Sequence, residues 1–199
     1  MEKYGILGGT FDPVHNAHIE LAEYAYRELG LTKVVFIPAY IPPHKRGKKI
    51  TDEHHRLNMV KLAVEGLPYF EVSDIELRLK GASYTSRTLE MLDNGMAKLV
   101  FIVGADSFMN LDTWHDPQSI FDRAEIACAC RNGVDREMLR RKAGEYEEKY
   151  GGTSLLLNMP DTDISSTQIR ELIRTGKNPS EYIPTAVWDY IKLNGLYTD

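Results

Sequence analysis

The residues whose types and spacing could do chemistry lie near the start of the chain, in the stretch Gly8-Gly9-Thr10-Phe11-Asp12-Pro13-Val14-His15-Asn16-Ala17-His18. Two glycines directly after an apolar run let the backbone approach a ligand closely. The helix predicted next presents free N–H groups and the positive end of its dipole, which together bind phosphate. His15 and His18 are three residues apart, so two imidazoles in one helical turn would share a face. The stretch predicts a site that holds phosphate and stabilises charge on a phosphoryl group.

Three other kinds of site use glycines or histidines in this way, and the spacing disfavours each. A Walker loop ends in Gly-Lys-Ser/Thr, which the stretch lacks. A dinucleotide-binding loop has Gly-x-Gly-x-x-Gly and an acidic residue after the second strand, where this chain has Ile37-Pro38-Ala39. A zinc pair on a helix has i,i+4 spacing or a third ligand nearby. We therefore predict no metal site built from protein residues.

A second candidate anion site precedes a predicted helix late in the chain, in Ile164-Ser165-Ser166-Thr167-Gln168-Ile169-Arg170. Ser165 suits an N-cap, and the hydroxyls of Ser166 and Thr167 could reach an anion at the start of the helix. Arg170, one turn later, could reach the same end. When these residues are taken alone, an ordinary capped helix with a surface arginine is the better explanation. The presence of the first motif favours the functional interpretation.

These residues must be positioned by strands that alternate with helices. Short apolar runs of the kind found in buried parallel strands lie at 6–7, 34–37, 70–72, 99–103, 125–129 and 155–157. Helical spacing of apolar residues is found at 17–29, 52–65, 85–92, 134–150, after residue 165 and around 187–191. We predict an α/β fold: a doubly wound, Rossmann-like parallel sheet with helices on both faces and a small C-terminal helical part. In such sheets ligands bind at the carboxyl ends of the strands.

The composition limits the class of protein. The 199 residues, 43% of them hydrophobic, suit a single domain, and no apolar stretch approaches the roughly 20 residues of a membrane span. The start of the chain has no pattern of a secretory leader. A net charge of −5 argues against a general nucleic-acid binder. We expect a soluble, cytoplasmic protein without membrane or nucleic-acid partners, and a homo-oligomer stays open.

The cysteines agree with a cytoplasmic location. Cys128 and Cys130 are the only two, and they alternate along an apolar run, so both thiols should lie on one face of a strand. We expect them to be small core residues in a reducing compartment.

The first motif resembles the signature of the adenylyltransferase and cytidylyltransferase superfamily, Gly-x-Phe-Asp-Pro-x-His-x-x-His, whose common form ends in His-x-Gly-His. Ala17 stands where that superfamily usually has glycine, and we expect close packing there to survive. The serine-rich segment resembles the superfamily's second motif. The resemblance implies that His15, His18 and Arg170 are catalytic.

Further segments resemble bacterial nicotinate-mononucleotide adenylyltransferases along nearly the whole chain. They are Pro42-Pro43-His44-Lys45, Ser83-Tyr84-Thr85, Gly104-Ala105-Asp106, Trp114 and Asn194-Gly195-Leu196-Tyr197. The resemblance implies one nucleotidyltransferase domain over 1–199, with 164–199 as a C-terminal helical subregion. It implies transfer of the adenylyl group of ATP to nicotinate mononucleotide, giving deamido-NAD and pyrophosphate, with Mg²⁺ carried on ATP. The same chemistry on nicotinamide mononucleotide or phosphopantetheine, and a nucleotide sensor without turnover, stay open.

The same resemblance implies residues for each substrate. His44 and Lys45 would hold the phosphate of the mononucleotide, Thr85 would contribute to the pyridine-carboxylate pocket, and Trp114 would stack on the ring. The implied ATP site consists of Gly8, Gly9, Thr10, Phe11, His15, His18, Gly104, Asp106, Arg131, Ser165, Ser166, Thr167 and Arg170. Arg87 departs from the aspartate common in the family, which leaves open how strictly the acid is preferred over the amide.

Overall fold

The computed structural model describes residues 1–42, 50–130, 136–159 and 164–198. Six strands form one sheet in the order β3-β2-β1-β4-β5-β6, and every neighbouring pair is parallel. The strands are β1 (Glu2–Gly9), β2 (Lys33–Pro38), β3 (Phe70–Val72), β4 (Ala97–Gly104), β5 (Ala124–Cys130) and β6 (Ser154–Asn158). This is the doubly wound strand order, and it confirms the predicted fold class.

Helices connect the strands and follow the last one. They are α1 (Asn16–Glu28), α2 (Glu53–Val64), α3 (Ile75–Leu79), α4 (Thr85–Leu92), α5 (Ala105–Met109), α6 (Pro117–Arg123), α7 (Arg136–Tyr150), α8 (Ser166–Arg174) and α9 (Thr185–Leu193). The sequence pattern did not reveal α3, α5 and α6, because five to seven residues are too few to show a helical period. Within the described ranges, no helix is long and apolar enough to cross a membrane.

The two faces of the sheet bury different side chains. In β5, Ala127 and Ala129 belong to the core on one face, while Ile126, Cys128 and Cys130 belong to the core on the other. Helices α1, α2, α8 and α9 cover the first face, and α4 to α7 cover the second. Both cysteines are free and buried on the same face, as their alternation predicts. Burial on both faces explains why the strands read as continuous apolar runs.

The C-terminal helices pack on the first face along narrow apolar stripes. Four of their apolar side chains are buried, namely Ile169, Ile173, Val187 and Ile191. Tyr190 is half-buried and also packs against this core, and Leu172 is half-buried beside it on α8. The stripes are narrow because α8 and α9 are surface helices with one apolar face.

The sheet divides at the carboxyl ends of β1 and β4. Pairing between these strands stops at Ile6 and Phe101. Beyond that point β1 continues beside β2 as far as Gly9, and β4 continues beside β5 as far as Gly104. The result is a crevice at the point where the strand order reverses, which is where doubly wound sheets bind ligands.

Candidate active site

The end of β1 and the segment that leads from it into α1 are here called the glycine loop (residues 8–15), and its two glycines shape it in different ways. A Cβ at Gly8 would lie 3.8 Å from the Phe101 ring, an ordinary contact. A Cβ at Gly9 would lie 2.9 Å from the ring of Phe11, which is too close. Phe11 is buried and has a φ of +50°, in the left-handed region that bulky residues rarely adopt. Gly8 therefore leaves open space in the crevice, and Gly9 makes room for Phe11.

The histidine pair lies where the glycine loop enters α1. His15 is the N-cap and His18 the third helical residue, and their ring centroids are 3.7 Å apart, so they share a face as predicted. The backbone N–H of His15 donates to Nδ1 of His18 at 3.2 Å. With Nδ1 as an acceptor, the neutral His18 ring carries its proton on Nε2, where it can be donated. Ala17, between them, is buried in the core, so its methyl group fits.

The start of α8 docks on the glycine loop. Ser165 is the N-cap, as predicted, and its Oγ accepts from the backbone N–H three residues on, at 3.2 Å. The Ser166 hydroxyl donates to the carbonyl oxygen of Pro13 at 2.9 Å. Nη1 of Arg170 donates to the carbonyl oxygen of Asp12 at 2.6 Å. The two predicted motifs, far apart in sequence, are in direct contact.

A cavity of about 650 Å³ adjoins this contact and is here called the α8 cavity. It is lined by Asp12, Ile50, Thr51, Asp52, His55, Thr167, Arg170, Glu171, Arg174, Gly195, Leu196 and Tyr197. Nη2 of Arg170 donates to Oγ1 of Thr167 at 3.2 Å, so both predicted anion-binding residues face one space. A helix N-terminus with an arginine beside it suits a phosphate group.

A second cavity, of about 630 Å³, occupies the crevice and is here called the switch-point cavity. It is lined by Gly8, Gly9, Thr10, Ala39, Pro42, Glu76, Ser83, Tyr84, Thr85, Phe101, Ser107, Thr113, Trp114 and His115. Thr85 is the first residue of α4, so its backbone N–H has no acceptor within the helix. The half-buried Trp114 ring lies edge-on to Phe101, with centroids 6.1 Å apart. The residues predicted for the pyridine ring therefore share one cavity with the glycine backbone.

Two ionisable residues of the switch-point cavity were not predicted. The His115 ring stacks on Tyr84 with centroids 4.2 Å apart, and its Nδ1 is 3.1 Å from Oγ of Ser86. These contacts join the residue after Trp114 to the start of α4. Glu76 accepts a hydrogen bond from Oγ1 of Thr88 at 2.6 Å. Burial raises the pKa of the Glu76 carboxyl, against the effect of the hydrogen bonds that it accepts. No motif marks either residue, because their place depends on how short elements pack.

Arg56 was also missed, although the sequence carried a signal for it. It lies on the buried stripe of α2 and is only 1% exposed, so a charge occupies an apolar position of the helix. Its guanidinium donates to the carbonyl oxygens of Thr51 at 2.9 Å, Thr10 at 2.8 Å and Tyr40 at 3.3 Å. One side chain thus ties the glycine loop to the segments that follow β2 and precede α2.

Other predicted residues lie outside these two cavities. Arg87 is exposed, with its guanidinium 5.4 Å from the Tyr84 ring, and lines a neighbouring groove. Gly104 caps α5 and Asp106 is exposed in its first turn, at the carboxyl end of β4. Neither is among the residues that line the two cavities. The predicted residues His44, Lys45 and Arg131 lie outside the described residues.

A doubly wound sheet with a glycine loop and a histidine pair at its switch point defines a nucleotide-binding α/β protein. The chain belongs to the cytidylyltransferase-like family, whose family model matches residues 6–172. This confirms the superfamily that the two motifs indicated.

Relatives extend the similarity to the full length. A Clostridium botulinum protein named probable nicotinate-nucleotide adenylyltransferase is 39% identical over 199 residues, covering 100% of both chains. A Clostridium tetani protein of the same name is 40% identical over 199 residues, covering 99% of this chain and 100% of that one. The structure of Plasmodium falciparum nicotinic acid mononucleotide adenylyltransferase complexed with NaAD has a TM-score of 0.82 at 19% identity, covering 99% of this chain and 98% of that one. At this identity the structural likeness establishes the fold.

Proposed function

We propose that this protein transfers the adenylyl group of ATP to nicotinate mononucleotide, giving deamido-NAD and pyrophosphate in NAD biosynthesis. Full-length relatives named for that activity support the proposal. The observation that carries it is the shared cavity: the glycine backbone, the start of α4 at Thr85 and the ring of Trp114 line one space at the switch point. Walls of this kind suit an aromatic ring that carries a carboxylate, together with a nucleotide phosphate.

The nucleophile is an oxygen of the mononucleotide phosphate, which attacks the α-phosphorus of ATP as pyrophosphate leaves. The second pKa of such a phosphate is about 6, so it is largely ionised at neutral pH and needs no protein base. The protein's task is to hold the two phosphates in line. In this proposal Thr85 and Trp114 hold the pyridine end, and His44 and Lys45 hold the phosphate.

Charge that develops on the α-phosphoryl group is met by donors that are already in place. The neutral His18 ring, whose Nδ1 accepts from the backbone N–H of His15, would donate from Nε2, and the N-terminus of α1 would add its dipole. Thr167 and Arg170 would hold the leaving pyrophosphate, because three of the five N–H donors of Arg170 are not used in its bonds to Asp12 and Thr167.

The proposed ATP site includes further residues that the resemblance implies. The residues are Gly8, Gly9, Thr10, Phe11, His15, Gly104, Asp106, Arg131, Ser165 and Ser166. The Ser166 hydroxyl gives its hydrogen to Pro13, so Ser166 would serve the phosphates through its backbone N–H and by fixing the loop.

Mg²⁺ would arrive bound to ATP, because it keeps most of its waters and prefers phosphate oxygens to an all-protein cage. Asp12, the carboxylate of the glycine loop, is buried and accepts hydrogen bonds from Tyr197 and Thr51, so both of its oxygens are already engaged. The part of the chain that the structure describes contains no group of three or more metal-binding side chains. When bound, the ion would neutralise charge on the triphosphate.

We also propose that residues 1–199 act as one nucleotidyltransferase domain in the cytoplasm, with small-molecule substrates. The support for one domain is that α8 and α9, within the predicted subregion 164–199, share a core with α1 and α2. The support for the location is a pair of free, buried thiols.

Pyrophosphate release with ATP and Mg²⁺ tests the function, run in parallel with nicotinate mononucleotide, nicotinamide mononucleotide and phosphopantetheine. We expect a strong preference for the first. Preference for another acceptor would keep the chemistry and overturn the substrate, whereas ATP binding without turnover on any acceptor would favour the sensor.

The His18→Ala variant belongs in the same assay, with His54→Ala, an exposed histidine on α2, as the matched control. Loss of one charge-stabilising donor should lower kcat about 100-fold, and the control should keep its turnover. Near-normal turnover of His18→Ala at saturating ATP would contradict the role given to His18.

A further inference from the structure

Three side chains converge on the glycine loop and are here called the Asp12 network: the buried Asp12 and Arg56, and the half-buried Tyr197. The Asp12 carboxylate, 5% exposed, accepts a hydrogen bond from the Tyr197 hydroxyl at 2.7 Å. It also accepts a longer one from the backbone N–H of Thr51 at 3.4 Å. Tyr197 follows α9, so this bond ties the segment after the last helix to a loop 185 residues earlier in the chain.

The glycine loop needs such support because its backbone is strained. Phe11, next to Asp12, has a φ of +50°, and a bulky residue adopts that conformation only where its surroundings fix it. The Phe11 ring packs against His18 with centroids 5.0 Å apart, so a shift of the loop would also displace the histidine. If the Asp12 side chain lost its hydrogen bonds, the loop could therefore shift and His18 on α1 would move with it.

The charges within the Asp12 network are compensated. A buried carboxylate is costly unless it is hydrogen-bonded and faces a positive charge. The charge of Arg56 attracts Asp12, and the Arg56 side chain itself is held by three carbonyl oxygens. Burial, with the Asp12 charge, raises the pKa of the Tyr197 hydroxyl, so the hydroxyl keeps its hydrogen and donates it at neutral pH.

We propose that Tyr197 is a positioning residue for adenylyl transfer, acting through Asp12 to hold the glycine loop in the geometry that serves His18 and Arg170. The link is Asp12 itself: its side chain accepts from Tyr197, while its carbonyl oxygen accepts from Nη1 of Arg170 at 2.6 Å. Movement of the Asp12 side chain would therefore loosen the hydrogen bond between the Asp12 carbonyl oxygen and Arg170. This inference rests on the proposed function, and its test includes a readout that needs no acceptor substrate.

Tyr197→Phe removes only the hydroxyl, and Tyr190→Phe is the matched control. The Tyr190 hydroxyl is 2.9 Å from Nδ1 of His55 and accepts from Nδ2 of Asn58 at 3.1 Å, so it joins α9 to α2 and does not contact the glycine loop. Tyr197→Phe should lower kcat about ten-fold and leave the KM for the mononucleotide within about two-fold, because misplaced donors slow the chemical step. The control should keep kcat within about two-fold at a similar loss of Tm. Equal effects of the two variants on kcat would overturn the proposal.

A double-mutant cycle tests the route through Asp12. If Tyr197 acts through that carboxylate, Tyr197→Phe should lower kcat no further in an Asp12→Ala background. Fully additive losses would overturn the route.

Hydrogen exchange of the ATP-free protein separates this inference from the proposed function. Tyr197→Phe should speed exchange of the amides at residues 10–18 about ten-fold, and Tyr190→Phe should not. Unchanged exchange at these residues would refute the positioning role. A wild-type protein without turnover on any acceptor would refute the proposed function and leave the exchange result to decide the role of Tyr197.

Discussion

At the scale of single residues, Gly8 and Gly9 look equivalent in the sequence, and the structure gives them different tasks. Gly8→Ala would leave the fold intact, because the new methyl group lies 3.8 Å from Phe101, but the group would enter the switch-point cavity. We expect unchanged Tm and turnover lowered by about 10-fold or more, since a small misplacement of the phosphates is costly. Thermal unfolding and pyrophosphate release would measure both effects.

Gly9→Ala should show the opposite pattern, with stability as the first loss. Its methyl group would lie 2.9 Å from the Phe11 ring, and overpacking of this kind costs about 1–3 kcal/mol. Adding Phe11→Leu should recover part of that stability. A Gly9→Ala variant as stable as the wild type would show that the loop relaxes around the ring.

For the histidines, the spacing was enough to predict a shared face, and the structure confirms it with rings 3.7 Å apart. The spacing could not show that the N–H of His15 donates to Nδ1 of His18, because that bond depends on where α1 begins. The motif alone therefore could not indicate which ring nitrogen of His18 accepts this hydrogen bond and which carries the hydrogen in the neutral ring.

At the scale of elements, α8 matters because its first two turns carry both the hydroxyl that donates to Pro13 and the arginine that donates to Asp12. Loss of the N-cap in Ser165→Ala should destabilise the protein by about 1 kcal/mol and lower turnover as the first turn frays. Ser165→Asn is the matched control, since asparagine caps equally well. Urea unfolding together with kinetics would test this, and equal stability of the two variants would show that the cap contributes little.

The long elements could be predicted because apolar periodicity reports which side chains are buried. The short ones could not: α3 brings Glu76 into the switch-point cavity, and the turn Leu111–Thr113 brings in Trp114, yet neither is long enough to show a period. The role implied for Trp114 came from a resemblance, and Glu76 had no such guide. Arg56 was readable in principle as a charge on the buried stripe of α2.

At the scale of the whole molecule, the sequence could supply both motifs but not the contact between them. The Arg170 side chain meets the backbone of Asp12 from 158 positions away. That meeting depends on the sheet order, which places the loop after β1 at the crevice, and on α8 and α9 packing against the same face as α1. Parallel topology therefore assembles the candidate site from distant segments.

Folding also buries the carboxyl group of Glu76, and this burial predicts how the stability of the protein depends on pH. Burial raises the Glu76 pKa in the folded protein above its unfolded value of about 4.3. The folded state therefore binds this proton more tightly than the unfolded state. The stabilisation that comes from this proton is fully present below the pKa of Glu76 in the unfolded chain, and it is lost as pH rises through the pKa of Glu76 in the folded protein.

Glu76→Gln should remove this loss of stability at high pH, because glutamine is neutral at every pH and its Oε1 can still accept from the Thr88 hydroxyl. We expect the free energy of unfolding of the variant to exceed that of the wild type at pH 8, with the excess shrinking as pH falls to about 4. Urea unfolding across this range measures it, with Glu147→Gln, an exposed glutamate on α7, as the control for loss of a charge. A Glu76→Gln protein that is less stable than the wild type at pH 8 would mean that an ionised Glu76, held by its hydrogen bonds, stabilises the fold.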